Sequence, residues 1–283
     1  ARVWNADGSG QPVVLRGHDQ IVLLARFSPD GKRVVTGSLD RTARVWNADG
    51  TGQPAIFRHS DQGVLAAGFS PDGTRLATAS TDKLIRIWRV AAPDQPPQIL
   101  RGHSNIVTAV QFSPDGTRIL SSSLDKTVRV WSIADLRQLF VLDDHESIVE
   151  RAAYSADGTR ILSKSEAHVI RVWDANGSGP PVVLSGPNSP ISSAAFHPDG
   201  EQIISALDDG SVWIWTDLEP LSGVHDHRIW SATRYCMPIE VRMRLLSVSE
   251  DLARADRARC LDQITKQRAQ RSPRLHEVAG GGK

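Results

Sequence analysis

Apolar positions along this chain come in short runs separated by polar turns, and an indole closes each cycle. One cycle reads Ile21-Val22-Leu23-Leu24-Ala25, then Phe27-Ser28-Pro29-Asp30-Gly31, then Arg33-Val34-Val35-Thr36, and finally Arg44-Val45-Trp46. The stretch Gly37-Ser38-Leu39-Asp40-Arg41-Thr42-Ala43-Arg44-Val45-Trp46 returns in variant form along most of the length. Its closing residue recurs as Trp4, Trp46, Trp88, Trp131, Trp173 and Trp215, at spacings of 42, 42, 43, 42 and 42. Ser-Pro-Asp-Gly is turn chemistry: Pro presets φ, Asp bonds back to local backbone, and Gly accepts positive φ. It joins two antiparallel strands as a hairpin. Asn47-Ala48-Asp49-Gly50-Thr51-Gly52 marks the next reversal, and Ile56-Phe57 after Pro54 reads as a short outer strand. Each period therefore predicts four short strands.

A fixed period of about 40 to 45 residues is the signature of a propeller blade or a solenoid unit. The units in register, each combining Gly-His or a variant of it, Ser-Pro-Asp-Gly or a variant, and a closing Trp, resemble the WD40-repeat family over roughly residues 1–216. Periplasmic propellers of the TolB type use similar turns, but the Arg-Val-Trp strand with Gly-His upstream favours the WD40 reading. The implied fold class is all-β, a WD40 β-propeller with about five and a half blades in the chain, expected to be part of a seven-bladed ring, and a short helical C-terminal tail. The domain boundary is placed at 222/223.

The resemblance implies a buried tetrad of His, Ser or Thr, Asp and Trp in each blade. Carried over by position, it assigns His18, Ser38, Asp40 and Trp46 to the first full unit and His103, Ser123, Asp125 and Trp131 to the third. The second keeps Ser80, Asp82 and Trp88, with Ser60 where His is expected and His59 one place early. The fourth keeps His145, Ser165 and Trp173, with Ala167 in place of Asp. The fifth has Pro187 and Leu207 for His and Ser, and keeps Asp209 and Trp215. A buried network that lacks a member leaves its partners unpaired, at roughly 1–3 kcal/mol each, so the fourth and fifth blades are expected to be softer.

The same resemblance places a binding face at the residues near the start of each first strand and just before each tetrad Asp. These are Ile21, Leu23, Leu39, Leu65, Ile106 and Leu124 in the early blades, and Glu150, Glu166, Ser192 and Asp208 in the later ones. An apolar sector beside an acidic one fits a protein or peptide ligand with an apolar anchor and a basic flank. The competing reading is that Ile21 and Leu39 only pack against neighbouring blades.

Composition adds limits. The chain has 283 residues, 40% apolar and 23% charged, with a net charge of +1. Residues 1–222 hold 21 Lys/Arg against 25 Asp/Glu, and residues 223–283 hold 12 against 7. The propeller is mildly acidic and the tail basic, so nucleic acid is not the expected partner of the propeller. No apolar run is long enough for a membrane span and no signal peptide is visible. Two Cys, Cys236 and Cys260, make no disulfide framework and point to a reducing, cytoplasmic setting.

No Gly-rich phosphate loop, Gly-x-Ser-x-Gly or His-Glu-x-x-His occurs, so catalysis within the segment is not expected, nor is a cofactor. His225-Asp226-His227 with the two Cys matches no standard zinc spacing, and Asn5-Ala6-Asp7-Gly8-Ser9-Gly10 lacks the downstream Glu of a calcium loop, so no metal is expected. After Trp215 the period changes. Pro238 opens a short helix over 239–246, Ser247-Val248-Ser249-Glu250 caps a second with Leu252, Ala255, Ala258, Leu261 and Ile264 every three residues, and disorder is expected from about 271.

The run Trp230–Pro238 with Cys260 is similar to tails that follow WD40 arrays in bacterial Hanks-type kinases and STAND NTPases. With the opening at Ala1 inside a third strand, this yields the expectation of a noncatalytic C-terminal array of a larger signalling protein. The open alternatives are a stand-alone scaffold, a six-bladed ring closed by a partner segment, and an enzyme with its site on a propeller face.

Overall fold

The computed structural model describes residues 1–59, 63–166, 169–185, 190–216 and Arg254. The chain divides into two units, Ala1–Leu218 and Glu219–Lys283, and every described strand lies in the first. The tail helices, the two Cys and the disorder expected from about 271 fall outside the described residues.

β1 (Arg2–Val3) pairs with β2 (Val13–Val14). A first four-stranded sheet follows, made of β3 (Val22–Phe27), β4 (Arg33–Ser38), β5 (Thr42–Asn47) and β6 (Ala55–Arg58). The second holds β7 (Val64–Phe69), β8 (Arg75–Ser80), β9 (Ile85–Arg89) and β10 (Gln98–Leu100), and the third β11 (Val107–Phe112), β12 (Arg118–Ser123), β13 (Val128–Ser132) and β14 (Arg137–Leu142). The fourth consists of β15 (Val149–Tyr154), β16 (Arg160–Ser165), β17 (Val169–Asp174) and β18 (Val182–Ser185). The fifth shows three strands among the described residues, β19 (Ile191–Phe196), β20 (Ile203–Leu207) and β21 (Val212–Trp215). Every pairing is antiparallel and each strand neighbours the next in sequence, which is the blade plan of a WD40 propeller.

The Ser-Pro-Asp-Gly turns work as their chemistry requires. Gly31 N–H donates to Ser28 O at 2.9 Å, Lys32 N–H to Asp30 Oδ1 at 3.1 Å, and Arg33 N–H to Ser28 Oγ at 2.9 Å. Gly31 takes φ 69°, where a Cβ would be strained. The Gly of Gly-His has a different reason. At Gly17 an added Cβ would lie 2.6 Å from Arg44 Nη1 and 3.2 Å from Trp46 Cη2, so the loop can cross the indole only without a side chain.

Core residues alternate along the strands and fill the spaces between consecutive sheets. Val35, Ala43, Val45 and Phe57 of the first sheet meet Val64, Ala67, Leu76 and Trp88 of the second. The same register repeats between the third and fourth, where Leu120, Val128 and Val130 meet Ala152, Ile161 and Trp173. The two ends of the stack differ. Ile204, Val212 and Ile214 are 46%, 61% and 63% exposed, although their counterparts Leu120, Val128 and Val130 are fully enclosed. At the other end β1 and β2 pack on Val34, Trp46 and Ala48, and Phe27 on the inner strand is 57% exposed.

Candidate interaction surface

The first four sheets each carry a buried polar ring beneath the loops that join one sheet to the next. In the first sheet Trp46 Nε1–H donates to Thr36 Oγ1 at 2.8 Å, Thr36 lies 2.7 Å from His18 Nε2, and His18 Nδ1 lies 2.7 Å from Asp40 Oδ2. With the carboxylate only accepting, His18 donates from Nδ1 and accepts the Thr36 hydroxyl at Nε2. The third sheet repeats the chain through Trp131, Ser121, His103 and Asp125.

The hydroxyl in the ring is therefore two residues earlier than expected. Thr36, Thr78, Ser121 and Ser163 contact both indole and imidazole, and Ser205 meets Trp215 at 2.9 Å. Ser38, Ser80, Ser123 and Ser165 do not. Both sets lie on one face of the strand because side chains alternate, and Trp46 opposite Val34 reaches diagonally only as far as Thr36. Ser38 and Ser123 instead accept the N–H of Asp40 and Asp125 and donate to the Gln20 and Asn105 carbonyls, bracing the turn. Ser80 donates to Asp82, and Ser165 to Val169 O. Thr36→Val leaves the Trp46 N–H without its acceptor and His18 Nε2 without its donor, and is expected to lower stability by about 2–3 kcal/mol. Ser38→Ala is expected to cost less, and denaturant midpoints of the two variants check the order.

The second and fourth rings are built differently. His59 fills the second, one place earlier than the repeat predicts, with Nε2 3.0 Å from Thr78 Oγ1. Arg86 enters between His59 and Asp82: Nη1 donates to His59 Nδ1 at 3.2 Å and Nη2 pairs with Asp82 Oδ2 at 2.6 Å. In the fourth, Arg171 Nη1 meets His145 Nδ1 at 3.2 Å and Arg171 Nε lies 3.5 Å from Asp144 Oδ2, a contact too poorly directed to be a hydrogen bond. Here Nδ1 accepts, so Nε2 carries the proton. The arrangement goes with the residue two places after the Asp position. Thr42 and Thr127 hold their Asp and take the Arg44 and Arg129 Nε–H, whereas Leu84 and Val169 have no hydroxyl and the guanidinium swings inward.

These rings set the electrostatics. Burial, reinforced by the Arg86 and Arg171 charges, pushes His59 and His145 down to about 4. Burial alone would raise Asp40, but hydrogen bonds from Thr42, His18 and the Asp19 amide outweigh it and hold the carboxyl near 2.

Above the rings lies the loop face. Leu39 N–H donates to Ile21 O at 3.0 Å, Leu124 N–H to Ile106 O at 2.9 Å, Glu166 N–H to Ile148 O at 3.0 Å, and Asp208 N–H to Pro190 O at 3.0 Å. Each bond brings two loop residues of one blade together, and Ile148 and Pro190 join the set that the sequence pointed to. Ile21 is 66% and Leu39 37% exposed, while Leu39 lies against Gly63, just before β7. Ile106 and Leu124 are half-buried; Glu166 and Asp208 are exposed.

Leu23, Leu65, Glu150 and Ser192 occupy a different place. Each sits at the β-bulge near the start of its first strand, where one residue escapes the ladder. Leu23 and Leu65 line a cavity among the inner strands, Glu150 takes Lys164 as an ion-pair partner, and Ser192 donates to Ala206 O. Asp209 turns toward Ser211 N–H at 2.8 Å. Among the described residues no group of three His, Cys, Asp or Glu is placed to hold a metal, and no helix is long and apolar enough to cross a membrane.

No curated protein matches the chain at a significant level. The family model described as WD domain, G-beta repeat matches residues 10–47, 53–89, 94–132 and 179–216. The unmatched interval holds most of the fourth sheet, the one whose ring lacks its Asp. Repeats of this family generally serve as noncatalytic scaffolds for protein partners. With matched repeats over more than half of its length and sheets of the corresponding plan, the chain belongs to the WD40-repeat family.

Proposed function

We propose that the loop face docks a protein or peptide segment through an apolar anchor at Ile21 and Leu39, with a basic flank directed toward Glu166 and Asp208. The observation that carries this reading is the exposure of Ile21, an aliphatic side chain at a loop position with no structural duty in the ring below it. The acid placed at the equivalent turn of the fourth and fifth blades supports a cationic flank and disfavours nucleic acid as the ligand. Nothing in the arrangement calls for a membrane.

A peptide selected from a display library on the whole chain tests this. Ile21→Glu and Leu39→Glu are expected to weaken its binding at least about tenfold by removing anchor area and adding a charge, while melting stays near that of the parent. Equal loss of melting temperature and binding would return both residues to a packing role.

The wider setting we favour is the docking or sensing array of a bacterial cytoplasmic signalling protein whose effector, a kinase or an NTPase, is encoded upstream. The similarity of the tail to those of such proteins supports it. A stand-alone scaffold is the second reading. The coding sequence before Ala1 distinguishes them, since only the first requires a phosphate-binding loop there.

A further inference from the structure

The inner strands border an open cavity of about 500 Å³, lined from β3, β7, β11 and β15 with Leu162 of β16 and Ala194 of β19. Its walls are mostly small: Ala25, Ala67, Ala109 and Ala153 leave the space open. Two cations are part of this lining, Arg26 on β3 and Arg151 on β15. No Asp or Glu lines the cavity, and among the described residues neither guanidinium has an ion-pair partner. The blade repeat does not require them. The positions equivalent to Arg26 are Gly68, Gln111, Ala153 and Ala195, and those equivalent to Arg151 are Leu24, Ala66, Ala109 and Ser193. Each arginine is thus a departure from the pattern, and both departures open into the same space.

Both side chains remain accessible to solvent at the mouth of this space, so an anion can reach them. Burial pushes the Arg26 guanidinium below its ordinary range, and the positive charge of Arg151 acts in the same direction. Gln111, at the position equivalent to Arg26, also lines the cavity; its Oε1 accepts the Tyr154 N–H at 3.1 Å, which leaves its amide N–H groups as donors. Two unneutralised guanidiniums and an amide donor are a set for oxyanions, since the planar fork matches tetrahedral or carboxylate oxygens in pairs.

We propose that this cavity binds a small phosphate-class anion between Arg26 and Arg151, with Gln111 as a third donor. The site is separate from the loop face and does not depend on the docking reading. An occupant would cancel the like-charge repulsion across the inner strands and tie the first sheet to the fourth.

Titration calorimetry of the full chain with sodium pyrophosphate, at ionic strength held constant with sodium chloride, tests this. Saturable one-to-one binding in the millimolar range or tighter is expected, accompanied by a rise in melting temperature. Arg26→Gln and Arg151→Gln each should weaken it at least about tenfold, the double variant should show none, and Arg137→Ala, at an exposed residue paired with Asp135, should bind as the parent does. The unliganded melting temperature of the Gln variants should stay the same or rise, because a repulsion is removed. Absence of saturable binding in the parent up to about 10 mM, or equal binding by the double variant, overturns the proposal.

Discussion

Lowering the pH from about 7 to about 5 is expected to loosen the second and fourth sheets while the first and third hold. His59 and His145 accept an Arg N–H at Nδ1, so protonation would set two donors against each other in a buried site. Their folded pKa values lie at about 4, against 6.5 for the exposed side chain. Between those values the unfolded chain binds more protons, so stability rises with pH across the window; it is complete above about 6.5 and lost on descent toward 4. The full shift is on the order of 3 kcal/mol per histidine, of which about 2 kcal/mol is lost by pH ~5. Asp82 and Asp144 face these sites and soften the effect without reversing it. In the first ring burial also pushes His18 down, but its bond to the Asp40 carboxylate opposes that shift; in the third, His103 Nδ1 donates to Asp125, and neither imidazole faces a guanidinium at Nδ1 as His59 and His145 do. Hydrogen exchange read by mass spectrometry at the two pH values should show protection falling in β7–β10 and β15–β18 first. Uniform loss, or loss led by β3–β6, would be inconsistent with the swung-in arginines.

The second large effect concerns one register position in two sheets. Val130 and Ile214 occupy the same place on the third strand of their blades, yet one is sealed among Leu142, Val149 and Trp173 and the other is open. Val130→Asp buries a carboxylate without a partner and is expected to cost about 4 kcal/mol or more, while Ile214→Asp should cost less than about 1 kcal/mol. Urea midpoints of the two variants decide it. A large loss at Ile214 would mean that its face is covered in solution.

Much of this architecture was legible in the sequence because period and turn chemistry are local. The recurring Trp and the Pro-Asp-Gly turns delimit the sheets, and His18, Asp40 and Trp46 come together as the family resemblance implies. The hydroxyl was not legible, because Thr36 and Ser38 share a strand face and only the reach of an indole across the ladder separates them. His59 stands one place early, where loop geometry rather than count decides whether the imidazole enters. The entry of Arg86 and Arg171 was hidden because it goes with a missing hydroxyl at Leu84 and Val169, a shifted His59 and an Asp position filled by Ala167, a combination no single motif position signals. The open face of the fifth sheet was hidden for a different reason: Ile204, Val212 and Ile214 are core residues by type, and exposure depends on whether a neighbour is there. Leu23 and Leu65 were expected on the loop face and line the inner cavity, because bulge geometry re-aims their side chains.

That open face also bears on how the array comes apart. Each sheet is held by what it shares with the sheets beside it, and among the described residues the fifth shares one interface where the third shares two. Thermal energy should therefore act on the molecule as on a zipper, with opening events starting at β19–β21 and running inward one sheet at a time. The third sheet, walled on both sides and carrying a complete ring, would be the last to melt.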